Sequence, residues 1–129
     1  MDVTPLVQKG QQIIQGYAGG IFKVSGLSYQ GSIIIRPIKT CIWELKAHAS
    51  ETLTDKDFSV FEGMCGEIDI LIIGTGARHI FIPPLALNAL KLLKINTETM
   101  DTAAACRTYN VLMAEGRRVA AALMPVTDT

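Results

Sequence analysis

The pattern of hydrophobic and polar positions changes about halfway along the chain, from short apolar groups at period two to longer groups that alternate with helical stripes. Two halves with different grammar follow. Between residues 11 and about 45, β-branched and aromatic residues are separated by turn signals at Gly19-Gly20, Gly26 and Gln30-Gly31, which predicts a run of short antiparallel strands. Phe22 and Val24 alternate with Lys23 and Ser25, as in a half-buried strand, while Ile33-Ile34-Ile35 is continuous and predicts a strand covered on both faces. Arg36-Pro37 ends that strand. Residues 38–45 offer another, with Trp43 as a core or sheet-covering ring.

At Thr54 the character changes, because Thr54-Asp55-Lys56-Asp57 resembles a capping box and Phe58 and Phe61 follow at i, i+3 spacing, predicting a short helix to about Gly63. His48 and its charged neighbours read as a solvated loop. Thereafter strand and helix alternate: strand 68–73, helix 84–94, strand 95–100, helix 102–115 and strand 118–124. That is α/β grammar. Pro84 suits a first helical position, Leu85, Ala86, Ala89, Leu90 and Leu93 form the expected buried stripe, and Gly116 is placed to cap the last helix. A right-handed crossover makes the first two of these strands parallel, so their ends at Gly74 and Asp101 open on one edge of the sheet.

Composition adds constraints on class. With 129 residues and no repeat or linker, the chain reads as a single domain, 1–129, whose antiparallel part (11–45) and alternating part (54–126) share one core. Twelve basic residues balance twelve acidic ones, which disfavours nucleic acid and anionic membranes as partners. A mean hydropathy of +0.30 with 49% hydrophobic residues implies apolar surface buried against another chain, and hence a homo-oligomer. Cys41, Cys65 and Cys106 are odd in number and widely spaced, which argues against a disulfide framework or a zinc site and for a reducing compartment. Residues 1–16 lack the features of a signal peptide or a mitochondrial presequence, and no apolar run is long enough for direct membrane insertion. A cytoplasmic location is therefore expected.

Candidate chemistry gathers at the predicted strand ends. In open α/β sheets ligands bind beyond the carboxyl ends of the strands, and that edge here offers Gly74, Thr75, Gly76, Arg78, Asp101, Thr102, Cys106, Arg107 and Asn110. Gly74-x-Gly76 resembles the opening of a dinucleotide fingerprint. However, His79 stands in place of the third glycine and the helix starts near Pro83-Pro84, so a plain tight turn is the favoured reading. Arg78 either binds a carboxylate or phosphate or pairs with Asp101, and Asp101 or Thr102 is expected to cap the helix. Cys106 in the first turns of that helix, with His79, offers a nucleophile and a base, yet without a third residue or an oxyanion hole a packed structural thiol is favoured. Asn110 lies one turn further on the same face. No catalytic constellation, metal cluster or cofactor site emerges, and Arg117-Arg118 reads as a solvated strand start.

The residues also carry a resemblance. Asp69-Ile70-Leu71-Ile72-Ile73-Gly74-Thr75-Gly76, Met100-Asp101-Thr102, Ala105 to Leu112 and Glu115 to Pro125, with Gly31-Ser32 and Trp43 in the first half, resemble the domain-of-unknown-function family that includes mitochondrial complex I assembly factor three, and specifically its bacterial branch. The resemblance implies three layers: a mixed central sheet, packed helices and an additional N-terminal antiparallel β layer. It also implies a non-catalytic role in the mitochondrial branch, as an assembly factor that binds respiratory-complex subunits or other assembly proteins, and it carries no established activity for the bacterial members. It assigns no catalytic residue. The leading expectation is thus a binding or assembly module for respiratory complex I or another membrane-associated complex. The alternative is a small-molecule binder or minor enzyme using the crevice between 74–78 and 101–110.

Overall fold

A computed structural model describes residues 10–45, 50–64 and 66–127; the expectations for His48, Cys65 and the first nine residues lie outside them. The two most apolar runs become the middle of the sheet. Strand β8 (Val119–Met124) is buried along its whole length, lying antiparallel to β4 (Ile33–Arg36) and parallel to β6 (Ile70–Thr75). Beyond them β5 (Lys39–Ile42) pairs antiparallel with β4, and β7 (Asn96–Met100) pairs parallel with β6, giving the order β5-β4-β8-β6-β7. Alternating side chains therefore point into two separate cores.

One core faces a layer of 3₁₀ turns. Ile34, Leu71, Ile73, Ala120 and Ala122 pack against Trp43, Phe58, Phe61, Ala86 and Leu90. The segment Asp55–Met64 is 3₁₀ rather than the expected α-helix, and its three-residue period places Phe58 and Phe61 in line. Its start is the anticipated box: the Thr54 amide donates to Asp57 Oδ2 at 2.9 Å. Trp43 lies just past β5, packs against Phe58 with ring centroids 5.5 Å apart and planes tilted by 50°, and donates its indole N–H to the Asp57 carbonyl at 2.8 Å.

The helix expected over 84–94 is divided into a 3₁₀ turn (Pro84–Leu87) and a short helix α1 (Asn88–Leu92). This corrects the predicted stripe. Tighter winding over the first four residues shifts the angular phase, so Ala86 and Leu90 face the core while Leu85 turns out to solvent.

The other core lies beneath α2 (Thr102–Ala114) and a small antiparallel sheet of β1 (Ile14–Ala18), β2 (Ile21–Val24) and β3 (Leu27–Gln30). Ile33, Ile35, Ile72, Val119, Ala121 and Leu123 meet Ala105, Cys106, Tyr109 and Met113 of α2 and Ile14, Phe22 and Val24 of the small sheet. The result is the three-layer α/β domain with an added N-terminal β layer. Asp101 caps α2 by accepting from the Ala104 amide at 2.8 Å, and the helix closes at Gly116, whose amide donates to the Met113 carbonyl.

Candidate functional site

The parallel pairing of β6 with β7 and β8 brings the predicted residues to one sheet edge. What it builds there is an interlock of threonine hydroxyls and backbone groups. Thr102 is fully buried; its hydroxyl donates to the Met124 carbonyl at 2.6 Å and accepts from the Gly76 amide at 2.8 Å, while its own amide donates to the Gly76 carbonyl at 2.9 Å. One side chain thus ties α2 to the ends of two strands. Thr75 closes the next turn, donating to the Arg78 carbonyl at 2.6 Å and accepting from the Ile80 amide at 3.0 Å.

The two glycines have different reasons. Gly76 has φ of +99°, a backbone conformation that side chains disfavour, and so makes the tight turn. Gly74 is required by closeness: a Cβ there would sit 2.9 Å from Leu123 Cδ2, 2.9 Å from Thr102 Oγ1 and 3.1 Å from Ala105 Cβ. The space that the glycine opens is occupied by α2 itself.

The remaining predicted residues divide between interior and surface. Asn110 is buried, but its amide turns towards the small sheet, where Oδ1 accepts from the Ile14 amide at 3.0 Å and Nδ2 donates to the Ile14 carbonyl at 2.8 Å. Beside it, the Tyr109 hydroxyl donates to the Gln12 carbonyl at 2.9 Å, and burial raises that phenol above its ordinary range. Arg78, His79 and Arg107 are exposed. Of the two alternatives for Arg78, the pairing with Asp101 does not form: the Asp101 carboxylate is turned to its cap, and the ion pairs among the described residues are Arg36–Glu67 and Arg118–Asp69. That same carboxylate stands where an anion at the α2 N-terminus would bind.

Cys106 is fully buried, and burial pushes its thiol up to about 12, outweighing the lowering effect of Arg107. The helix position does not activate it. No hydrogen bond joins it to His79, so the paired nucleophile and base do not assemble. We expect Cys106 to stay unlabelled by iodoacetamide at neutral pH in the folded chain and to label fully in urea, as read by peptide mass spectrometry. Rapid native labelling at Cys106 would contradict its burial.

Among the described residues no cluster of three metal-ligating side chains occurs, and no helix is long and apolar enough to cross a membrane. The residues that sequence reasoning missed lie in the connection from β6 to β7. Phe81, Leu85 and Leu92 are 74%, 80% and 81% exposed, and the last two line a surface groove of about 570 Å³ with Leu53, Thr54, Asp55 and Pro83. Phe81 carried a signal, since it falls outside every predicted apolar stripe.

The fold defines a small three-layer α/β domain that carries three exposed apolar side chains, Phe81, Leu85 and Leu92, on the connection from β6 to β7. Residues 14–124 match the family described as "Protein of unknown function (DUF498/DUF598)", and the chain belongs to that family. It is 35% identical over 113 residues to an uncharacterised protein of Rhodobacter capsulatus, covering 88% of this chain and 84% of that one. It is also 32% identical over 112 residues to NADH dehydrogenase (ubiquinone) 1 alpha subcomplex assembly factor 3 of Mus musculus, covering 87% of this chain but only 60% of the relative. The family therefore includes complex I assembly factors, which are substantially longer than the matched domain. A crystal structure described as an outer membrane protein from Bartonella henselae superposes with a TM-score of 0.80 at 35% identity, covering 91% of this chain and 97% of that one.

Proposed function

We propose that this chain is a non-catalytic binding module acting in the assembly of respiratory complex I, and that its partner docks on the ridge formed by Phe81, Leu85 and Leu92. The observation that carries the reading is this: three large apolar side chains of one connection stand in solvent, two of them, Leu85 and Leu92, lining a groove, although the chain has ample core in which to bury such residues. A soluble domain gains nothing from that exposure unless something covers it. The likeness to the assembly-factor relatives supports a complex I subunit or a fellow assembly protein as the covering partner. The partner segment should present apolar side chains to the groove, with a basic group to meet Asp55 at its edge. This reading assigns the chain to the cytoplasm, where Cys41 and Cys106 remain free thiols. The small-molecule alternative finds no support, since the Thr75 and Thr102 hydroxyls at the strand ends are already taken up by backbone.

The test is affinity purification of the tagged chain from its own cells, comparing wild type with Leu85→Glu and Leu92→Glu. Both positions are exposed, so each substitution should change stability by no more than about 0.5 kcal/mol. Wild type should enrich complex I subunits or assembly proteins, and each variant should lose at least about tenfold of that enrichment. Retention by both variants would remove the ridge from the argument. If the free chain sediments as a dimer that these substitutions make monomeric, the ridge is instead a self-association surface.

A further inference from the structure

At the sheet edge opposite the predicted crevice, the strand pairing gathers Arg36 with Arg117 and Arg118, which are distant from it in sequence. β4 runs antiparallel to β8, so Arg36 at its end arrives beside Arg117, Arg118 and Val119. Together with Pro37, Ile38 and Glu67 they line a cleft of about 170 Å³. Their circumstances differ. Arg118 is committed: its guanidinium forms a two-point pair with Asp69 and donates to the Gly66 carbonyl at 2.6 Å. That pairing holds the Asp69 carboxyl below its ordinary range and raises the guanidinium above its own.

Arg36 is different. Its side chain is only 16% exposed, yet its counter-ion is Glu67 at 3.8 Å, beyond hydrogen-bonding distance, and Glu67 is itself 57% exposed. A guanidinium has five donors in a planar fork, which a two-point oxyanion matches best. Glu67 supplies charge without that geometry. Arg117 stands exposed beside it and enters neither of the ion pairs among the described residues.

The geometry points to this cleft as a binding site for a carboxylate, held by the Arg36 fork with Arg117 as a second cation, into which the ligand enters as Glu67 swings out to solvent. The choice of carboxylate rests on the planar fork and on the two carboxylates, Glu67 and Asp69, that the arginines already engage. The cleft is smaller than the roughly 300 Å³ at which enclosing ligand pockets begin, so it takes the head of a group rather than a whole metabolite. Pro37 and the 74%-exposed Ile38 form an apolar lip for whatever carries that head. A small dicarboxylate or the acidic side chain of a peptide would supply the same chemistry. This inference is independent of the docking ridge, which lies in the connection between β6 and β7.

The test follows Arg Nε and backbone amide signals of the full chain during titration with sodium glutarate, an N-acetylated triglutamate peptide, inorganic phosphate and sodium chloride at matched ionic strength. Glutarate should shift Arg36 and Val119 saturably and beyond the effect of chloride. Arg36→Gln should weaken that binding by about tenfold, the loss of one charge-assisted pair. Glu67→Gln removes the resident competitor at an exposed position and should tighten it. Tighter saturation by triglutamate than by glutarate identifies a peptide source, and the reverse identifies a small dicarboxylate. The assignment is overturned if chloride reproduces the shifts, if phosphate displaces both carboxylates, or if Glu67→Gln leaves the glutarate affinity unchanged.

Discussion

Asn110→Ala is expected to destabilise the chain by about 3 kcal/mol, because it leaves a buried N–H and a buried C=O of Ile14 without their partner, each costing about 1–3 kcal/mol. Ile14 is completely buried, so water cannot take over either bond without opening the seam between α2 and the small sheet. In a chain of this size the melting temperature should fall by roughly 10 °C. Asn110→Asp separates polarity from pairing. The introduced carboxyl can accept from the Ile14 amide, but it can donate to the Ile14 carbonyl only when protonated, which raises its folded pKa above the unfolded value of about 3.9. Its share of stability is then fully present below the unfolded pKa and is lost as pH rises through the folded one. Relative to wild type, the aspartate variant should therefore be closest at pH 4 and furthest behind at pH 7. A flat difference across that range, or a loss below about 1 kcal/mol in the alanine variant, would show that the amide does not hold the seam.

This seam marks the limit of what residue patterns convey. The central strands were legible because Ile33-Ile34-Ile35 and Val119 to Leu123 are apolar on both faces, which only an interior strand can use. Helix α2 was legible from its ends, with Asp101 as the oxygen-bearing cap and Gly116 as the stop. Asn110 gave no comparable signal: an amide on a helix announces a need for partners, but its partner is backbone 96 residues away, brought near only by the completed fold. Leu85 shows a different failure. Its spacing fits a regular helix, and only the 3₁₀ winding of Pro84–Leu87 turns it outward, a choice that sequence period does not distinguish.

The strand-end site was half legible. Topology correctly gathers 74–78 with 101–110, since parallel strands must end on one edge, but glycine at such an edge has two physical uses. It lets a ligand approach the backbone, or it lets another part of the chain do so. Residue type is identical in the two cases, and the difference is whether neighbouring hydroxyls are left facing solvent or bonded inward. Here Thr75 and Thr102 both bond to backbone across the edge, so these two hydroxyls are turned inward.

Gly74→Ala measures how tightly this edge is packed. The new Cβ would stand 2.9 Å from Thr102 Oγ1 and 3.1 Å from Ala105 Cβ. Leu123 Cδ2, also at 2.9 Å, can retreat by rotation, whereas Thr102 Oγ1 is pinned by the Gly76 amide and the Met124 carbonyl. Overpacking against such fixed neighbours should cost about 2 kcal/mol, and moving α2 to relieve it would stretch both threonine bonds. Thr102→Ala alone should also destabilise, by about 2 kcal/mol, through the unpaired Gly76 amide and Met124 carbonyl. The decisive quantity is their combination. If glycine is present because the threonine hydroxyl leaves no room, deleting that hydroxyl removes part of the clash, and the double variant should be about 1 kcal/mol more stable than the sum of the single losses. Strict additivity would place the strain of Gly74→Ala elsewhere, against Ala105. A wild-type melting temperature for Gly74→Ala would mean that the strand ends have slack, and an edge with slack is one that a ligand could still enter.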